Sequence, residues 1–356
     1  MPPEVTVSQE KISMLRKSLL AWYASNPREL PWKNTFDPYK IWLSEIILQQ
    51  TRVDQGLPYY RKFLDLFPCV QDLARAPEDV VLKAWEGLGY YSRARNLHFT
   101  AKVVSEEFNG EFPPNYKGLL NLKGIGPYTA AAISSFAFNL PHAVVDGNVY
   151  RVLSRLMGIS TPIDTTSGKK TFQETADILL APKQPSEWNQ AIMNLGAMVC
   201  TPQNPQCEKC PWTNHCVAYK ADAHSLFPVK EKKITRVDRN FHFLVLRLDK
   251  KIIIQKRDGR DIWKGLYHFP LVESSLPKQP ISSSFWHGAS FSNSEKPHLI
   301  YESSQLLTHQ KINGYFFECR SESILGMPED WVSIHMSQLQ DYAFPKIISN
   351  FIRQYI

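Results

Sequence analysis

Asn121-Leu-Lys-Gly-Ile-Gly-Pro-Tyr-Thr-Ala130 is the stretch on which the reading of this chain turns. Gly124 and Gly126 permit a tight turn with bare backbone amides facing outward, and Pro127 suits the first position of a following helix. Leu119, Leu120, Leu122 and Ile125 supply apolar anchors on either side, so the segment predicts a hairpin between two helices. Amides gathered at a helix start bind a phosphate oxygen well.

Outward from this hairpin, Val5 to about Tyr219 reads as helices. Apolar residues recur at spacings of three and four in Ile12–Trp22, Ile41–Leu48, Leu97–Phe108, Ala130–Phe138, Val149–Leu156 and Trp188–Val199. Pro and Gly clusters, such as Phe112-Pro113-Pro114 and Asp146-Gly147-Asn148, divide them. The character then changes. The run beginning at Asn240 and the run Lys251-Ile-Ile-Ile are β-type and joined by Asp249-Lys250, a hairpin signal. Leu299–Gln310 and Ile312–Glu318 suggest another strand pair, and Phe344–Tyr355 has helical spacing. The expected organisation is an all-α domain over 1–220, a basic Pro-containing linker over 221–236, and an α+β domain over 237–356.

The 356 residues are 43% apolar, enough for two real cores and too much for a disordered chain. The longest apolar runs, Ile46-Ile47-Leu48 and Ile252-Ile253-Ile254, are far too short to span a bilayer. Met1-Pro2-Pro3-Glu4 does not read as a signal peptide, so a soluble intracellular protein is expected. Lys and Arg number 41 against 34 Asp and Glu. Residues 221–260 concentrate the excess, with 11 basic against 5 acidic side chains from Lys230 and Lys233 through Arg260. Such a segment suits either contact with a polyanion or a solvated linker.

Three constellations carry chemistry. Of six cysteines, Cys200, Cys207, Cys210 and Cys216 fall within 17 residues, while Cys69 and Cys319 stand alone in apolar surroundings that predict burial. Four clustered thiolates in an intracellular chain suit structural zinc or an iron–sulfur cluster, and spacing alone leaves both open. Glu45 is the only ionisable residue in Ile41-Trp-Leu-Ser-Glu-Ile-Ile-Leu48, a helix apolar around most of its circumference. Burial there would raise its pKa towards that of a usable general acid. Asp146 precedes Gly147-Asn148-Val149 at a predicted helix start, where an N-cap is sufficient explanation. A second carboxylate is nonetheless what glycosidic chemistry requires.

Taken together, Leu122–Ala130, Val145-Asp-Gly-Asn-Val-Tyr-Arg151 and the Cys-x6-Cys-x2-Cys-x5-Cys loop resemble the helix-hairpin-helix DNA glycosylases. Leu30-Pro-Trp32, Trp42-Leu-Ser-Glu-Ile-Ile-Leu-Gln-Gln-Thr-Arg52 and Gly87-Leu-Gly-Tyr-Tyr-Ser-Arg-Ala-Arg95 are similar to one branch, the MutY adenine DNA glycosylases. The resemblance implies a [4Fe–4S] cluster on the four cysteines and base flipping of adenine paired with 8-oxoguanine or guanine in double-stranded DNA. It implies Glu45 as the acid that protonates adenine N7 and Asp146 as the carboxylate facing the oxocarbenium ion, with Tyr128 and Asn148 as polar neighbours. Leu30, Trp32, Lys33 and Gln190 would line the adenine pocket, while Gln50, Thr51, Leu88 and Tyr90 would flank the lesion pair. Gly124 and Gly126 would hold the DNA backbone. Tyr128 stands where endonuclease III carries its Schiff-base lysine; a phenol cannot form an imine, so a monofunctional enzyme is expected.

Trp263-Lys-Gly-Leu-Tyr-His-Phe-Pro270 resembles the Nudix-like module that reads 8-oxoguanine in this family. Glu273 and Glu295 are isolated, which opposes a metal-dependent nucleotide hydrolase. Where the family commonly offers Phe-Ser-His, this chain has Leu307-Thr308-His309: Thr308 keeps the hydroxyl, and Leu307 loses the ring. The resemblance further implies a monomer in the bacterial cytoplasm.

Overall fold

The computed structural model describes residues 8–232, 235–259, 261–278, 290–292 and 296–356. Lys233, Arg260 and Glu295, named above, lie outside them. The chain forms two compact units, one of residues 1–52, 69–71 and 100–233, the other of residues 53–68, 72–99 and 234–356. The segments 53–68 and 72–99, which the periodicity of the chain assigns to the helical domain, thus group with the strand-bearing region.

The described elements of the first unit are helical, and each expected helix is present, although the ones expected to reach Phe108 and Val199 stop one residue earlier, at Glu107 and Met198. Pro38–Leu48 starts on Asp37, whose carboxylate accepts from the Tyr39 N–H at 2.9 Å, with Pro38 at the first turn. Gly147–Met157 starts on Asp146 and ends on Gly158 in the left-handed region. Gln9–Ser25, Gly147–Met157, Thr166–Leu179 and Pro185–Met198 bury Leu15, Leu153, Phe172, Trp188 and Leu195 in one core. Trp212, from the cysteine loop, inserts into that core and donates its indole N–H to Leu15 O at 3.0 Å. Thr166–Leu179 was not marked by periodicity, because Thr and Lys dominate its sequence.

The hairpin forms between Tyr116–Leu120 and Pro127–Phe138. Leu119, Leu122 and Ile125 are buried as anchors, while Leu120 is only half-buried. Gly124 alone needs the left-handed backbone, at φ +81°; Gly126 has φ −89° and caps the helix. Thr100 fixes the turn by donating its hydroxyl to Lys123 O at 2.7 Å. The expected linker is tied down in its second half: the Glu231 and Lys232 N–H groups donate to the Asp164 carboxylate at 3.0 and 2.9 Å.

Among its described residues, the second unit holds nine strands: β1 (Val237–Leu248), β2 (Lys251–Lys256), β3 (Tyr267–His268), β4 (Leu271–Ser274), β5 (Ser290–Ser292), β6 (His298–Leu306), β7 (Gln310–Arg320), β8 (Ser323–Leu325) and β9 (Trp331–His335). A mixed sheet runs β3-β2-β1-β7-β6, with β4 paired to β1 and β9 to β2. β1 and β7 are parallel, Val237 opposite Gln310 and Arg247 opposite Arg320. Both expected strand pairs are present, β1–β2 around Asp249-Lys250 and β6–β7 around Leu307–His309. One sheet face buries Leu244, Leu246, Ile253, Phe317 and Cys319. On the other, Phe316 stacks on Phe243 and on Phe351 of the closing helix Lys346–Tyr355, and Phe269 meets Phe316 and Phe351 edge-on. Val53–Leu66 and Glu78–Ala84 belong to this unit; Gly56 and Pro58 inside the former masked its helical pattern. Cys319 is buried as expected, but Cys69 is exposed, at the loop beside Pro68.

Candidate active site

Glu45 and Asp146 line one cavity of about 300 Å³. Its wall comprises Leu48, Gln49 and Gln50 from the end of Glu45's helix, Tyr128 from the start of the hairpin's second helix, and Val145, Gly147 and Tyr150 around Asp146. Helical geometry explains the grouping. Leu48 and Gln49 lie three and four residues beyond Glu45, and Tyr150 lies four beyond Asp146, so each set shares a helix face. That periodicity was the signal by which these unpredicted wall residues could have been found.

Glu45 is 7% exposed, and the Tyr128 hydroxyl donates to its Oε2 at 2.7 Å. Burial pushes the carboxyl up from 4.5 to about 7; the Tyr128 bond pulls down, and the Asp146 charge pushes up again. The carboxyl therefore keeps its proton to a higher pH than an ordinary glutamate, as a general acid requires. Burial, with the charges of Glu45 and Asp146, holds the Tyr128 phenol well above its ordinary range, so it remains a donor.

Asp146 is at once an N-cap and a cavity group. Its Oδ1 accepts from the Val149 N–H and its Oδ2 from the Asn148 amide, both at 2.7 Å. Burial raises its pKa, and these donors together with Arg151 oppose the rise. Asn148 is oriented in turn by Arg151, which donates to Asn148 Oδ1 at 2.9 Å, to Gly196 O at 2.7 Å and to Cys200 O at 2.7 Å. The arrangement couples a protonatable carboxyl to a second carboxylate held by fixed donors, a pairing suited to departure of a basic leaving group from a sugar.

The remaining predicted residues divide. Gln50 lines the carboxylate cavity, in the left-handed region at φ 56°. Thr51 does not; its N–H bonds Leu48 O at 3.1 Å. Leu30, Trp32, Lys33 and Gln190 are absent from that wall. Lys33 instead donates to Asn194 at 2.7 Å and lies over the Tyr23 ring, whose hydroxyl donates to Gln190 at 2.9 Å. Burial and Arg28 depress the Lys33 ammonium to about 8. In the second unit, Leu88, Tyr90, Thr308 and His309 come together in a cleft of about 550 Å³ with Trp263, Gln310 and Lys346. The hydroxyls of Tyr90 and Thr308 are hydrogen-bonded to each other. The 87–90 loop is built on the left-handed residues Gly87, Gly89 and Tyr90, and Arg93 closes it by donating to Leu88 O and Gly89 O.

Cys200, Cys207, Cys210 and Cys216 line one small cavity of about 30 Å³. Among the described residues, no three His, Cys, Asp or Glu side chains gather round a point as ligands of one metal ion. Four thiols of one loop lining a common recess supply the donor set that an iron–sulfur cluster takes. Burial pushes the thiols of Cys207 and Cys216 up and that of Cys210 to about 12, so the positive charge of a bound metal centre would be needed to hold them as thiolates. Arg155 buttresses the loop by donating to Thr201 O at 2.8 Å, Pro202 O at 3.1 Å and Cys200 Sγ at 3.4 Å. None of the four cysteines lines the carboxylate cavity.

A helical hairpin, a thiol-lined loop and paired buried carboxylates define a class, the base-excision DNA glycosylases. Comparison with known families agrees. Residues 43–179 match the HhH-GPD superfamily of base excision DNA repair proteins, 200–216 the iron–sulfur binding domain of endonuclease III, and 242–354 the NUDIX domain. An adenine DNA glycosylase of Buchnera aphidicola subsp. Schizaphis graminum is 36% identical over 266 residues, spanning 74% of this chain and 77% of that one. One from Buchnera aphidicola subsp. Baizongia pistaciae is 40% identical over 258 residues, 71% of this chain and 72% of its own. Among solved structures, a thermostable thymine-DNA glycosylase superposes with a TM-score of 0.55 at 31% identity, covering 60% of this chain and 98% of that one. The chain belongs to the adenine DNA glycosylase family. It is a DNA glycosylase of base excision repair that hydrolyses an N-glycosidic bond, with a [4Fe–4S] cluster domain and a Nudix-like C-terminal domain.

Proposed function

We propose that this enzyme removes adenine paired with 8-oxoguanine, or less favourably with guanine, and that it does so without cutting the strand. The observation that carries the reading is the single cavity holding Glu45, bonded to Tyr128, together with Asp146. Adenine leaves the stack and enters this cavity. Glu45 in its acid form protonates N7, which turns adenine into a neutral leaving group, and then assists water. Asp146, held in place by Val149 and Asn148, stabilises the oxocarbenium charge on the sugar. Gly124 and Gly126 present the hairpin amides to the DNA backbone. When bound, the [4Fe–4S] cluster on the four cysteines ties the 200–216 loop to the helical core. Tyr128 has no amine to form an imine, so the abasic product leaves with its strand intact.

Thr308 and His309, in the cleft with Leu88 and Tyr90, read the oxidised base: the Thr308 oxygen accepts from the N7–H that 8-oxoguanine has and guanine lacks. Glu273 spends both carboxylate oxygens on Arg239, which supports a reading rather than a hydrolysing Nudix-like domain. The residue ranges 1–220, 221–236 and 237–356 for glycosylase domain, linker and reading domain belong to the same proposal, as do a monomeric state and a bacterial cytoplasmic site. Among the described residues, no helix is long and apolar enough to cross a membrane. Single-turnover release of adenine from duplexes carrying 8-oxoguanine or guanine opposite adenine tests the substrate. The Glu45→Gln variant tests the mechanism: it should bind the duplex and release no adenine, and near-normal release would overturn the assignment.

A further inference from the structure

Arg239, on β1, has no part in the chemistry above, yet all five of its side-chain N–H groups find acceptors. Nε and Nη2 grip the Glu273 carboxylate, both at 2.6 Å. Nη1 and Nη2 grip Asp261 at 2.9 and 2.6 Å, and Nη1 also reaches Gln310 Oε1 at 3.2 Å. The guanidinium lies 4.8 Å from the centre of the Phe241 ring. Arg257 shares that ring and donates to Asp261 at 2.7 Å, as does the Ile262 N–H.

Two of the gripped residues, Asp261 and Gln310, line the 550 Å³ cleft that holds Thr308 and His309. They come from different walls. Asp261 begins the segment that carries Ile262 and Trp263, and Gln310 closes the turn whose Leu307 N–H bonds Gln310 O at 2.8 Å. The Val237 N–H, two residues before Arg239, holds His309 O at 3.0 Å from the same strand. A planar fork can bind two carboxylates and an amide at once in fixed directions; an ammonium on a flexible stem cannot.

We propose that Arg239 is a positioning residue of the lesion-reading cleft, setting the Asp261–Trp263 wall against the Leu307–Gln310 turn so that Thr308 meets the oxidised base in register. The inference rests on the reading of that cleft as the 8-oxoguanine site.

The test uses the full, cluster-loaded chain and the ratio of single-turnover adenine release from 8-oxoguanine and guanine duplexes, with the thermal unfolding midpoint of each variant measured alongside. Arg239→Lys and Gln310→Ala should lower the ratio roughly tenfold, the loss of about one good polar contact. Glu273→Gln, which weakens the grip facing away from the cleft, should lower the midpoint and keep the ratio. A ratio that follows the midpoint across all three variants, or that Arg239→Lys leaves unchanged, overturns the positioning role. A parent enzyme with no preference between the duplexes instead overturns the 8-oxoguanine reading, and the role of Arg239 with it; that failure is visible before any variant is made.

Discussion

Replacing Glu45 by Gln should stabilise the folded enzyme, and by an amount that depends on pH. The carboxyl titrates at about 7 in the folded chain against 4.5 for an ordinary glutamate. The folded state therefore keeps its proton to a higher pH than the unfolded state does. Stability from this group is fully present below about pH 4.5 and is lost as pH rises through about 7. At about 1.4 kcal/mol for each tenfold change in acidity, the buried carboxylate costs roughly 3 kcal/mol above neutrality. A Gln at 45 cannot ionise, so it escapes that cost. Its amide oxygen can still accept from the Tyr128 hydroxyl. Urea unfolding of parent and variant from pH 5 to 8.5, compared at equal m-value, isolates the effect. The difference should grow in favour of Gln by roughly 2–3 kcal/mol across that range. Parallel pH curves would show that Glu45 is not the desolvated acid that the cavity makes of it.

Tyr128→Phe removes the bond that lowers the Glu45 pKa, so the alkaline limb of the single-turnover rate should move to higher pH; a limb that stays put or moves down contradicts the coupling. On abasic duplex the parent should nick far more slowly than it releases adenine, and equal rates on a sequencing gel would reject monofunctionality. Gly124→Ala forces a side chain into φ +81° at a cost of about 1–2 kcal/mol and should weaken duplex binding without changing the pH profile; unchanged binding by fluorescence anisotropy would remove the hairpin from the interface. Arg155→Leu leaves the carbonyls of Thr201 and Pro202 without their donor, and iron should leave the protein faster under a chelator, read as loss of the iron–sulfur absorbance.

Local features of the sequence were sufficient wherever a short segment carries its own instruction. The hairpin is legible because glycine at 124, proline at 127 and apolar residues at 119, 122 and 125 each act within a few residues. The cysteine spacing likewise marks a cofactor loop, and an isolated acid in Ile41–Leu48 foretells a raised pKa, since a helix apolar on nearly all sides has to be buried. Even there, Gly126 proved to need no unusual backbone.

What local pattern could not decide is which distant segments share a wall. Lys33 and Gln190 meet Asn194 and Tyr23 rather than the carboxylates, and Cys69, in an apolar stretch, faces solvent. The segments 53–68 and 72–99 fall in the stretch read as the all-α domain, yet packing joins them to the strand-bearing unit and brings Tyr90 to Thr308. Arg239 shows the reason most plainly. An arginine in a β-run looks like solvent-facing charge until tertiary structure supplies Asp261 and Glu273, 22 and 34 residues away, and Gln310, 71 away. Helix periodicity and turn chemistry are set by bonds spanning a few residues and are written in the chain's order. A cavity, a shared proton or a two-walled cleft is set by side chains that meet only after the backbone has closed, so it belongs to the fold.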